Sequence, residues 1–210
     1  MGKLTLAVFC LMAATLQAQD WEIGGFGGYG YSFKRTVNAP GGDADVRTKP
    51  GLTLGVVGGG DTHKYWSGEV RYLYRYSDLE VSGNGQKASL GAYTHIVHAD
   101  FLGHFTPKGS KTRPFIAVGA GVKILQGTGI ESSGQALGDK VALTATKQVL
   151  GVLDVGAGIK YDVKEHFRLR VEVRDYISGA PNKVFAPAPG ASLGGVWNDV
   201  IGTVGLSYIW

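Results

Sequence analysis

Phe167-Arg168-Leu169-Arg170-Val171-Glu172-Val173-Arg174 alternates apolar and charged residues without a break. Successive side chains of a strand point to opposite faces, so this segment carries one oily face and one ionic face. A helix would scatter the same residues around its axis. In a water-soluble sheet the ions face water and the oil faces a core. In a membrane barrel the sense inverts, with the apolar face toward lipid and the ions toward the lumen. The rest of the chain decides between the two.

Charged residues make up 18% of the chain, below the roughly 25% of soluble domains. Glycine accounts for 34 of 210 residues, more than twice the usual ~7%. Interior glycine disfavours helices by about 1 kcal/mol against alanine and is tolerated in curved sheets. At the N-terminus, Lys3 precedes an apolar run from Leu4 to Leu16, and Leu16-Gln17-Ala18 resembles a small-residue cleavage site. The run is too short to span a bilayer as a helix, so residues 1–19 read as an export signal that is removed. The sole cysteine, Cys10, lies in that signal behind Phe9, which speaks against a lipoprotein. The exported chain, 20–210, is expected to hold no disulfide and no thiol metal site. Loss of Lys3 takes the net charge from +4 to +3. With no basic cluster, nucleic acid is not an expected partner.

No window after the signal holds 18 consecutive apolar residues; period-two segments alternate with turn-rich ones instead. Strands are expected at Trp21–Phe33, near Leu52–Val56, at Trp66–Tyr76, from about Ser89 to Phe105, at Pro114–Leu125, near Gln148–Tyr161, at Phe167–Arg174 and from Asp199 to Trp210. Long loops are expected at 34–48, 78–87, 126–146 and 177–195, and short turns between the other strands. A soluble sandwich has no reason for this long–short rhythm. An outer-membrane barrel does, with short turns at one side and long loops at the other. Aromatics sort by depth on this scheme. Trp21, Trp66, Phe105, Tyr161, Phe167, Tyr208 and Trp210 fall at the short-turn rim, and Tyr29, Tyr31, Tyr74, Tyr76 and Tyr93 at the other, like interfacial girdles.

The export signal, the eight strands and the ending Gly205-Leu206-Ser207-Tyr208-Ile209-Trp210 resemble the outer-membrane β-barrel family of the OmpA/OmpX type over essentially the whole exported chain. The resemblance implies an all-β fold: an eight-stranded antiparallel up-and-down transmembrane barrel with periplasmic turns, periplasmic termini and long outer loops. It implies outer-membrane lipids as surroundings. It also implies an assembly signal at Leu206, Tyr208 and Trp210 for the barrel-assembly machinery, although Trp210 stands where Phe is commoner. No peptidoglycan-binding domain follows Trp210, so tethering of that kind is not expected.

Counting from the short-turn ends places Glu69, Arg71, His98, Asp100, Asp154, Arg170, Glu172 and Arg174 on the inner face at similar depth. Four acids meet three arginines and a histidine, and buried charges persist only when paired. An eight-stranded barrel is just wide enough to be filled by its side chains. A self-neutralising ionic plug is therefore expected, with a narrow ion or solute channel as the alternative. No cofactor or metal is expected. His95 and His98 face opposite sides, and His98 and His104 lie about 20 Å apart along a strand at ~3.3 Å per residue, too far to share a zinc ion. Gly25-Phe26-Gly27-Gly28-Tyr29-Gly30 spells a dinucleotide pattern with no helix after it. Gly190-Ala191-Ser192-Leu193-Gly194 spells a nucleophile elbow inside a Pro-rich loop. A lipid-modifying enzyme would need a serine and an acid beside a lipid-facing histidine, and Tyr93 and Val97 flank His95 on its face. The chain reads as a non-enzyme with a structural, adhesive or surface-interaction role, and its outer loops meet a ligand that their composition does not name.

Overall fold

The computed structural model describes residues 20–40, 42–133 and 137–210, and the export signal expected at 1–19 lies outside them. Twelve strands are present: β1 (Trp21–Ser32), β2 (Arg35–Val37), β3 (Ala44–Thr48), β4 (Gly51–Asp61), β5 (Trp66–Gly83), β6 (Gln86–His104), β7 (Thr112–Ser133), β8 (Val141–Leu143), β9 (Lys147–Lys164), β10 (Phe167–Gly179), β11 (Phe185–Pro187) and β12 (Val196–Ile209). Eight of them close into a ring in the order β1-β4-β5-β6-β7-β9-β10-β12, every neighbour antiparallel. The first strand closes on the last from Glu22↔Ile209 to Ser32↔Asp199. Trp21 and Trp210 extend the seam by exchanging backbone N–H···O bonds of 3.0 and 3.1 Å. Full closure gives every barrel strand a hydrogen-bonded neighbour on each side within the ring.

Side-chain parity follows the alternation. In β10, Phe167, Leu169, Val171 and Val173 are exposed, whereas Arg168, Arg170, Glu172 and Arg174 are buried. The same inversion holds around the ring: Leu54, Val56, Val70, Val97, Val118, Val155 and Val204 lie outside, and Glu69, Arg71, Asp100, Lys123, Asp154 and Asp199 inside. An exposed belt of this extent is a surface for hydrocarbon, not for water. Rings gather at its short-turn edge, where Trp66 stacks on Phe101 at 4.9 Å and Tyr208 on Trp210 at 6.0 Å.

The inward glycines account for much of the composition. A Cβ at Gly156 would sit 2.6 Å from Arg174 Cγ, one at Gly158 2.7 Å from Glu172 Cβ, and one at Gly30 3.0 Å from Arg75 Nε. The lumen has room for guanidinium groups because these neighbours have no side chains.

The long-loop side departs from the expectation. The barrel strands run from 11 residues in β4 to 22 in β7 and rise past the apolar belt. Residues 78–87, expected as a loop, continue β5 and β6 into a hairpin closed by Asn84 and Gly85 at φ of 49° and 76°, the two positive-φ positions of a tight hairpin turn. The 34–48 stretch holds β2 and β3, and β3 pairs with the β5 extension from Asp45↔Ser82 to Thr48↔Leu79. Within 126–146 and 177–195 lie the ends of β7 and β10, and β8 and β11 pair with each other. Leu79, Val81, Leu90, Val46, Val141, Leu143, Val184, Phe185 and Trp197 bury together there. Above the belt the chain thus reverts to the soluble rule and builds a cap with an apolar centre.

Candidate functional site: the filled lumen and its cap

The inner faces stack in layers. At the short-turn end, Arg113 Nη1 donates to Asp61 at 2.6 Å, and Ser67 Oγ lies 2.8 Å from His104 Nε2. Phe115 packs with Leu102 and Ala117 just inside.

Next comes the ionic network, and all eight residues singled out in the sequence meet in it. Glu69 accepts from Arg71 (3.1 Å), Arg170 (2.9 Å) and Arg174 (2.7 Å). Arg71 also pairs with Glu172 and lies 4.3 Å over the Phe26 ring. Arg174 reaches four carboxylates: Glu69, Glu172 at 3.2 Å, Asp154 at 2.8 Å and Asp100 at 3.0 Å. Its planar fork and five N–H donors allow this, where a lysine would not. His98 Nδ1 lies 2.7 Å from Asp100 and 3.1 Å from Asp154, while its Nε2 is 3.3 Å from Tyr176 Oη.

The network is larger than the eight. Glu22 accepts from Lys160 (2.8 Å), Arg168 (3.2 Å) and Arg170 (3.3 Å), and Arg168 also holds Asp162. Higher up, Asp199 pairs with Lys123, with Arg75 at 3.0 Å and with Ser32. These residues carry the right parity in the sequence. Counting depth from strand ends separates them, because tilted, staggered strands and long side chains bring distant positions together.

His98, Asp100 and Asp154 place ligand-type atoms within 4.8 Å of one another. The grouping crosses from β6 to β9, so spacing along one strand does not show it. The Arg174 guanidinium already lies against both carboxylates, which gives them a cation without a metal.

Between the ionic network and the Asp199 cluster lies an apolar layer. Phe26, Val57, Leu73, Ile96, Val152, Tyr176 and Ile201, one each from seven of the eight barrel strands, bury against one another across the lumen. On the eighth strand, β7, Gly121 pairs with Val152. Composition gives no sign of this layer; it needs the register of the whole ring.

Outside, His95 Nδ1 lies 2.8 Å from Tyr72 Oη, with the Tyr74 and Tyr93 rings 5.2 and 5.4 Å away. The expected assembly residues Leu206, Tyr208 and Trp210 are exposed along β12 and beyond its end. The Gly25–Gly30 pattern lies inside β1, and Ser192 of the elbow spelling bridges to Asn38 in the cap.

The sequence profile of one family, the outer membrane protein beta-barrel domain, matches residues 3–208. The structure is similar to Neisserial surface protein A at 10% identity, covering 90% of this chain and 96% of that one, with a TM-score of 0.54. It is similar to outer membrane protein AlkL at 16% identity, covering 91% and 90%, with a TM-score of 0.50. At these identities the likeness is one of fold. No curated protein matches the sequence.

Proposed function

The chain belongs to the family of the outer membrane protein beta-barrel domain, an integral protein of the bacterial outer membrane, and from that membership we propose that it is a closed, non-conducting barrel that displays a folded cap. The lumen serves as a structural plug, and the role is structural, adhesive or one of surface interaction. The observation that carries this reading is the apolar layer between two ionic clusters. An ion crossing it would shed its hydration against aliphatic and aromatic side chains, with the Tyr176 hydroxyl, already engaged by His98, as the one polar group in the layer. In the ionic network below the layer every carboxylate already has a cationic partner. The cap, with its own buried centre, is a preorganised surface rather than a set of floppy loops.

The short turns and both ends of the barrel chain share one rim, which we assign to the periplasm; the cap then faces outward. Residues 1–19 direct export and are removed, and Leu206, Tyr208 and Trp210 present the last strand to the assembly machinery. The test of closure is planar-bilayer conductance of the purified protein. Silence at moderate voltage is expected. Steady, reproducible openings would replace the plug by a narrow channel for ions or small solutes.

A further inference from the structure

Gly58 and Gly68 face the lipid, and nothing in the fold requires them to be glycine. A Cβ at Gly58 would meet nothing within 4 Å, and one at Gly68 only a backbone oxygen at 3.9 Å. The inward Gly59 between them is different, since its Cβ would lie 2.7 Å from Glu69 Cβ. Glycine inside a strand costs stability and often marks a place where a ligand comes close. Neighbouring lipid-facing positions on the same strands carry Leu54, Val56, Val70 and Tyr72.

The two glycines, with Gly60 and Ala99, form the floor of a trough across β1, β4, β5 and β6. It comprises two adjoining hollows of about 310 and 210 Å³ that share Gly58 and Val70. Trp21 and Ile23 stand on one bank and Val97 on the other, with Phe101 paired beside Gly68 and stacked on Trp66. The trough opens at the short-turn rim beside Thr62. Lys64 follows in the same turn, exposed, its Nζ 5.6 Å from the Tyr65 ring centroid. Lys108, hydrogen-bonded through its backbone N–H to Lys64 O at 2.7 Å, is occupied by Asp20 at 3.1 Å. Lys64 has no carboxylate partner among the described residues.

The geometry points to a phospholipid site: one acyl chain lies in the trough, and the phosphate meets Lys64. Strands are spaced about 4.8 Å apart, so a trough floored by small residues of β4, β5 and β6 takes a polymethylene chain and not a side of another barrel. A symmetric pair of barrels would set trough against trough and leave a void that forfeits packing contacts. The assignment to the inner leaflet rests on the orientation proposed above; the trough itself does not.

The test is native mass spectrometry of the barrel reconstituted in phosphatidylglycerol vesicles and extracted in mild detergent. One phosphatidylglycerol retained per barrel is expected. Gly58→Leu with Gly68→Leu should cut the retained fraction at least fivefold, Lys64→Glu should lower it, and Val118→Leu on another part of the wall should leave it unchanged. Heat-modifiable gel mobility identifies folded protein, and the single Gly58→Leu variant serves if the double does not fold. Wild-type barrel that keeps no lipid, or folded leucine variants that keep as much as wild type, would overturn the site. A wild-type dimer that the leucine variants split would instead make the trough an interface between copies. Sidedness is read separately by cysteine labelling, so a wrong leaflet and a wrong trough give different results.

Discussion

At the scale of single residues, β10 offers the sharpest contrast, because adjacent side chains live in opposite media. Val171 is 43% exposed on the lipid face, and Arg170 is 1% exposed inside. Val171→Arg puts a guanidinium into hydrocarbon, which costs roughly 2–4 kcal/mol near mid-membrane; the expected result is failed insertion, read by loss of the heat-modifiable folded band. Arg170→Ala leaves Glu22, Glu69 and Glu172 each short of a partner, and removing one member of a buried pair costs about 3–5 kcal/mol. That variant should insert but unfold at lower urea. Equal tolerance of both would mean that the faces are reversed. Parity is legible in the sequence because a strand fixes which way each residue points, so Arg168 to Arg174 sort correctly from spelling alone. The pairing partners are not legible: nothing along the chain says that Glu22 meets Lys160, 138 positions away.

At the scale of elements, the cap is where the sequence reads least well. Leu79, Val81 and Leu90 continue the strand alternation past the lipid, but their apolar sides turn inward, so one rule does not serve the whole of β5 or β6. Phe185 and Leu143 meet only because β8 and β11 pair across two different loops, a long-range event with no local signal. Trp197, fully buried against Phe185 at 5.4 Å, anchors this centre. Trp197→Ala removes a large buried ring, for which about 3–5 kcal/mol is usual. The expected outcome is local: faster protease cleavage in 126–146 and 177–195, with the barrel still folded by gel mobility. Loss of the whole barrel would show that cap and wall fold as one unit.

At the scale of the molecule, the two rims differ, and the proposed orientation puts the capped rim outside. Asn84 stands exposed at the tip of the long hairpin, and Glu165 is exposed in the β9–β10 turn at the opposite end. Asn84→Cys should react with a membrane-impermeant maleimide on intact cells, and Glu165→Cys only after the envelope is breached; the reverse pattern would invert the orientation. Eight strands and their alternating rhythm are readable from the sequence, since lipid selects one parity on every strand. The circular seam between Trp21 and Trp210 has a consequence for biogenesis. The wall cannot be sealed until the twelfth strand has arrived to pair with the first, and a half-built arc would hold its arginines against oil. The twelfth strand must therefore cross into the envelope before the circle shuts, and a product truncated ahead of it would leave the first and tenth strands with open edges in the bilayer.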